Sequence, residues 1–385
     1  MNLLSYVYKY VAALLSVVLC LFTSVPFIIK QSADEKEKNI TEQIERMEQL
    51  EEDYASGNYV KIDENSFADF DLQKYGDKVK INEISCLGTH NSYQLASVPA
   101  YQKLMDNLST VTFGLVSSVK PKFSSETLTE QFNVGVRSIE LDIETVVSDG
   151  EISFVCNHSP VFDMTTTCYN FELALKEIAM WSDANPNHVP ITIIIEPKTA
   201  FLPDGSEMKY MNIEYANALD ELLREVLGDR LLTPADAMGD YSSLKEMREA
   251  DAWPTLNEAS GKVLVLLHDT TVTDKYIGQD KSIKTQAMFP MLRYDDIDKS
   301  YASFIIMNDA DDAYEHRAEV IGEKKLMVRT RADTFSDVDE ENIAYAKASG
   351  AQIVSTDHPP KTDMTGIDTV TSFDGYTIRL NRSEI

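Results

Sequence analysis

The stretch ITIIIEPK, Ile191–Lys198, decides the reading of the fold. Isoleucines crowd its first five positions, and the run then breaks at Glu196 and Lys198. Short, β-branched and continuously apolar runs of this kind are strands buried on both faces. Residues two apart in a strand share a face, so Glu196 and Lys198 point the same way. The same design recurs along the chain: INEISCLG from Ile81, VGVRSIELDI from Val134, ISFVCNH from Ile152, KVLVLLHD from Lys262, SFIIMND from Ser303, KLMVRTRAD from Lys325 and QIVSTDHP from Gln352. Helical patterns lie between several of them, starting at Phe171, Met211, Ala313 and Glu340, the last stopped by Gly350.

Eight strand candidates alternating with helices predict a (β/α)8 TIM barrel, whose active site lies at the C-terminal ends of its strands. Each run closes on polar or ionisable groups: His90-Asn91, Glu140 with Asp142, His158, Glu196 with Lys198, His268-Asp269, Asn308-Asp309, Arg329 with Arg331, and Asp357-His358. A doubly wound open sheet is the alternative. It is disfavoured because no glycine-rich phosphate loop follows the first strand.

The 385 residues carry a net charge of -28 and 43% hydrophobic residues. A chain so acidic, with no basic stripe, does not bind nucleic acid through its phosphates. Tyr10 to Ile29 is uncharged and close to the length that crosses a bilayer. Lys9 precedes it and acidic residues dominate after it, which places the N-terminus in the cytoplasm and the body outside. Residues 1–31 are therefore expected to be a membrane anchor, or a signal segment if cleaved. Residues 32–65 read as an acidic, solvated helical stalk or linker, with Ile44, Met47 and Leu50 at steps of three, and 66–385 as the barrel domain. The expected location is membrane-anchored with an extracytoplasmic catalytic domain, or secreted. Cys156 and Cys168 are the pair favoured for a disulfide in that compartment, although free buried thiols fit as well. The final GYTIRLNRSEI reads as an added strand or tail.

Glu140, Asp142, Glu196 and the amide oxygen of Asn91 form an all-oxygen set. Converging carboxylates raise one another's pKa unless a cation sits among them. Such a set suits Ca²⁺, with Mg²⁺ less suited. Taken alone, the carboxylates fit equally well a structural ion-pair cluster neutralised by Lys198 and Arg137. His90 and His158, at two further strand ends, tip the reading toward general acid–base chemistry beside a cation. Phosphodiester cleavage is the natural reaction. Lys198, Arg329 and Arg331 are candidate phosphate or headgroup contacts, with salt bridges at the mouth as the competing reading. Asp333 and Asp357 are weaker candidates for hydroxyl recognition.

GTHNSY, RSIELDIE, CNHSP and IIIEPK, in this order, resemble the X-region of phosphoinositide-specific phospholipase C. WPTLNEASGKVLVLL, VRTRADT and SGAQIVSTDHP resemble its bacterial-type, calcium-dependent branch, and the likeness spans roughly residues 80 to 360. The resemblance implies a TIM barrel and a Ca²⁺-dependent phosphodiesterase. It implies Asn91, Glu140, Asp142 and Glu196 as calcium ligands and His90 and His158 as the catalytic pair. It also implies attack of the inositol 2-hydroxyl on phosphorus, giving diacylglycerol and a cyclic inositol phosphate. His158 would then be the acid for the glycerol oxygen. His90 either takes the 2-hydroxyl proton or binds the phosphoryl oxygen. The expected partner is phospholipid at a membrane surface, with no protein partner. Two rivals stand beside this: a glycerophosphodiester phosphodiesterase, whose usual His-Arg-Gly start is not the His90-Asn91-Ser92 found here, and a catalytically inactive surface binding module.

Overall fold

The computed structural model describes residues 3–111, 122–157, 164–198, 211–268, 270–334, 338–360 and 371–382, without the side chains of 3–23, 111 and 270–271. Ten strands form one closed sheet: β1 (Ile84–Thr89), β2 (Ser138–Ser148), β3 (Glu151–Cys156), β4 (Ile191–Pro197), β5 (Val263–Leu267), β6 (Phe289–Leu292), β7 (Phe304–Ile306), β8 (Met327–Arg331), β9 (Ile353–Thr356) and β10 (Ile378–Leu380). Eight of them run parallel and close on themselves, in the order β1, β2, β4, β5, β6, β7, β8, β9 and back to β1. This is the predicted TIM-like barrel.

Two expectations about its staves need correcting. The run from Ile152 is not a barrel strand: β3 folds back antiparallel on the overhanging end of β2, with Ile143 opposite Cys156 and Ser148 opposite Glu151. The eighth stave is β6, FPML, pairing parallel with β5 and β7. Its four residues include Pro290, which argues against a central strand in sequence. The final stretch does add a strand, β10, antiparallel to the outer part of β1.

Strand alternation sorts the core. Ile139, Leu141 and Ile143 of β2 and Ile191, Ile193 and Ile195 of β4 pack outward against the helix Phe171–Ala184 and its neighbours. Ile194, Leu264, Leu266, Phe289, Phe304 and Ile353 belong to a second core. The β1–β2 seam is tight: a Cβ on Gly88 would lie 2.8 Å from the Ser138 Cβ, so this stave needs glycine where the barrel closes. The floor is plugged by Arg137. It is fully buried, bonded to Glu64 Oε1 at 2.7 Å and stacked 4.9 Å from the Trp181 ring. Arg137 is thus remote from the strand-end carboxylates it was expected to neutralise.

The acidic helix is not a free stalk. It is the lower part of one helix, Leu3–Ser56, and it lies along the barrel. Ile28, Ser32, Asn39, Gln43 and Met47 form its buried stripe. Three of these five are polar, and Asn39 and Gln43 bond backbone at Thr166 and Asn170, which is why a hydrophobic-period test overlooks the stripe. Among the described residues no helix is long and apolar enough to cross a membrane. Most of the Tyr10–Ile29 run falls on side chains outside the described set.

Candidate active site

The mouth is organised by β2. Ser138, Glu140 and Asp142 face the barrel interior while the isoleucines between them face the helices. In the parallel register Asp142 lies beside Glu196 of β4, and Glu140 one step lower beside Ile194. Glu140, Asp142 and Glu196 consequently bring carboxylate oxygens within 4.8 Å of one another.

The turn after β1 is strapped to this strand. The Ser92 amide donates to the Glu140 carbonyl at 3.0 Å, and the Glu140 amide donates to Ser92 Oγ at 2.9 Å. Thr89 Oγ1 shares a hydrogen bond with Ser92 Oγ and donates to Gln131 Oε1, whose Nε2 donates back to the Ser92 carbonyl. This lattice holds Asn91 at φ 48, a left-handed conformation that asparagine tolerates better than most residues. Asn91 Nδ2 turns to Gln94 Oε1, and the residue is buried beside Glu140. Ser92 and Gln131 therefore position the site. Sequence alone does not reveal them: nothing in GTHNSY separates a strap from a ligand, and Gln131 meets Ser92 only across the fold.

His90 stands at the edge of the cluster. Its Nδ1 is 3.2 Å from Asp357 Oδ1 at the end of β9, and its Nε2 is 3.7 Å from Glu140 Oε1. A ring fixed at Nδ1 by a carboxylate presents Nε2 to the mouth for proton transfer. Asp357, weighed in sequence for hydroxyl recognition, is here the partner of His90. Asp333 accepts from Thr356 Oγ1, Thr371 Oγ1 and the Asp357 amide, so it braces the β9 end. His158 lies outside the described residues. The antiparallel return of β3 nevertheless brings Cys156 opposite Ile143, so the chain carrying CNHSP leaves at the level of Asp142.

The cations divide unequally. Arg329 is 1% exposed and lies below the mouth. It donates to Glu140 Oε2 at 2.7 Å, to Ser355 Oγ at 3.1 Å and to Asn308 Oδ1. It is a buried counter-charge, where sequence placed a headgroup contact. Burial pushes the Glu140 carboxyl up, but Arg329, then His90, Arg331 and His268, outweigh it and hold the group well below the usual range. Lys198 Nζ lies 3.0 Å from Asp142 Oδ2 and 2.7 Å from Glu196 Oε1, with its side chain 27% exposed. Arg331 is half-buried at the end of β8 and adds positive field at Glu140.

Asp142 is the outlier. It is fully buried, and neither oxygen takes a well-aligned hydrogen bond. Burial first, then Glu140 and Glu196, push its carboxyl up against the pull of Lys198. A buried acid whose Oδ1 takes no hydrogen bond and whose Oδ2 has only the Lys198 ion pair, in register with a second acid and near a third, is a donor set suited to a hard divalent cation. The residues present thus fit Ca²⁺. Asp142 also helps hold the buried Tyr93 hydroxyl protonated, after burial itself. Cys156 and Cys168 are free buried thiols in the structure, not the disulfide favoured in sequence. Burial, then Cys168 and Asp142, push the Cys156 thiol up, which favours its protonated form.

The family model for Ca²⁺-dependent phosphoinositide phospholipase C matches residues 79–155 and 153–384. The chain belongs to the calcium-dependent phosphoinositide phospholipase C family. Solved structures agree in fold. The apo calcium-dependent phosphoinositol-specific phospholipase C of a Gram-negative Pseudomonas is 20% identical, with a TM-score of 0.55, covering 83% of this chain and 100% of that one. The Ca²⁺-dependent phosphatidylinositol-specific phospholipase C of Streptomyces antibioticus is 17% identical, with a TM-score of 0.51, covering 72% and 95%. A search of individually curated proteins returns no match.

Proposed function

We propose that this member of the family is a Ca²⁺-dependent phospholipase C that splits an inositol phospholipid into diacylglycerol and a cyclic inositol phosphate. The observation that carries the reading is Asp142, whose buried carboxylate takes no well-aligned hydrogen bond and sits in register with Glu196 at the mouth, beside Glu140. Asn91, Glu140, Asp142 and Glu196 would hold the ion. Bound there, Ca²⁺ supplies positive charge to a phosphoryl oxygen and to an attacking hydroxyl.

The chain's own groups do the rest. His90, oriented by Asp357, takes the 2-hydroxyl proton or donates to the phosphoryl oxygen through Nε2. His158, two residues past the returning β3 end, protonates the departing glycerol oxygen. Lys198 and Arg331 offer positive charge to the phosphate, while Arg329 keeps Glu140 ionised. The N-terminal apolar run anchors the chain in a membrane with the barrel on the extracytoplasmic side.

The test is a panel of phosphodiester lipids assayed with Ca²⁺, Mg²⁺ and EGTA, with the phosphorylated product identified by mass. EGTA-sensitive release of a cyclic inositol phosphate is expected. Release of glycerol 3-phosphate would instead make the chain a glycerophosphodiester phosphodiesterase. No turnover on any phosphodiester would make it a binding module.

A further inference from the structure

The helix Leu3–Ser56 is fastened to the barrel at several heights, and the sequence of these contacts gives its direction. At the upper end Ile28 packs with Val98 and Leu104, in the segment that leaves the β1 mouth. Lower down the Thr166 amide donates to Asn39 Oδ1, Gln43 exchanges two bonds with the Asn170 backbone, and Arg46 reaches the Thr167 carbonyl and Glu177. Past the helix, the Ile62 amide donates to Asn185 Oδ1, and Glu64 meets Arg137 at the floor. Asn170 caps the N-terminus of Phe171–Ala184 and Asn185 caps its C-terminus, so the two helices run side by side from mouth to floor.

The helix therefore enters the barrel from the mouth side. The uncharged run ends at Ile29, and Lys30 is the first charge after it. The apolar part of the helix thus meets the folded body at the height of the catalytic mouth. Phe27, at that height, is 58% exposed. Pro26 lies inside the helix just above the docked part, so a bend there would leave the docked contacts intact.

We propose that the docked helix holds the barrel with its mouth turned toward the bilayer that takes up the apolar run, so that the enzyme works on phospholipid of that same bilayer. This rests on the membrane-anchor reading. A chain of net charge -28 is repelled by anionic headgroups when free. A helix fixed beside the mouth overcomes that repulsion by making lipid encounter intramolecular in effect. The fastening also touches the site itself. Thr167, which receives Arg46, donates its amide to the Tyr93 carbonyl, and Thr165 receives the Leu95 amide, just beyond Asn91.

The experiment uses the full chain reconstituted in phosphatidylcholine vesicles containing phosphatidylinositol. One donor dye is placed by Ser148→Cys on the β2–β3 turn above the mouth. Another is placed by Glu258→Cys near the floor. Energy transfer to a headgroup acceptor is expected to be greater from the mouth dye. Gln43→Ala with Arg46→Ala should erase the difference by loosening the helix. Equal or reversed transfer, or a difference that survives the double variant, overturns the proposal. Failure of the chain to float with vesicles overturns it through the anchor reading instead. All of these readouts are independent of lipid cleavage.

Discussion

Replacing Arg329 by Met tests the electrostatic plan of the site. The guanidinium is 1% exposed, and its N–H meets Glu140 Oε2 at 2.7 Å. Methionine keeps much of the volume and removes the charge, leaving Glu140, 5% exposed, as an uncompensated buried carboxylate. Breaking one side of a buried pair costs about 3–5 kcal/mol, and the undonated Asn308 and Ser355 oxygens add to it. Urea unfolding at neutral pH without calcium should therefore show a loss of that order. The deficit has a pH signature. In the native chain Glu140 is depressed, so its contribution is present above the unfolded carboxyl value and is lost as pH falls through the folded one. In the variant the sign reverses: burial raises Glu140, its cost is absent below about pH 4.3 and grows as pH rises. The difference between the chains must shrink on acidification. It must also shrink when Glu140→Gln is added, and when Ca²⁺ supplies the missing charge. A loss below about 1 kcal/mol, or one flat in pH and calcium, would place the pair in effective contact with water and refute the reasoning.

Asp142→Asn should change the stability of the calcium-free chain little, since it removes repulsion with Glu140 and Glu196 along with the Lys198 pair, yet weaken calcium binding more than about tenfold, or 1.4 kcal/mol, by titration calorimetry. Lys198→Met should do the opposite and tighten calcium binding while raising KM; unchanged affinity would show that the lysine does not compete. His158→Ala should cost about 10²–10⁴ in turnover on a lipid with a poor leaving group and far less on a nitrophenyl ester, whereas equal losses contradict the acid role. Asp220 accepts from the Tyr276 hydroxyl at 2.7 Å and the Ala287 amide at 3.0 Å, and burial raises its carboxyl from 3.8 to about 6. Stability from this group is present below 3.8 and lost as pH rises through about 6, so Asp220→Asn should flatten the urea midpoint across that window.

The barrel was legible because its staves are continuous apolar runs closed by polar residues, as in ITIIIEPK. The carboxylate cluster was legible because Glu140 and Asp142 alternate on one strand and Glu196 ends a neighbour. What stayed hidden depends on tertiary pairing. The ISFVC run has strand composition whether it serves as stave or hairpin, and only its register with Val146 and Ile143 decides. FPML hides behind a proline. Arg137 and Arg329 read alike as cations next to acids, yet one is bonded to Glu64 at the floor and the other to Glu140 under the mouth. The docked face of the N-terminal helix is half polar, and its amides find partners more than a hundred residues away.

The two cations at the mouth explain why three carboxylates tolerate one another and still leave room for an ion. Arg329 is held by three acceptors, Glu140, Ser355 and Asn308, and its guanidinium stays charged, so it stabilises Glu140 whatever else is bound. Lys198 is partly exposed and paired with the two acids that lie in register. With both present, the three acids retain one net negative charge. An ion held by Asp142 and Glu196 would compete with the ammonium for the same carboxylate oxygens. Exchange of Lys198 for a divalent ion would bring the cluster to neutrality and free the ammonium. The freed charge would stay tethered at the end of β4, available to an incoming phosphate. The same lysine would thus neutralise the acids of the metal-free chain and serve the phosphate once an ion is bound.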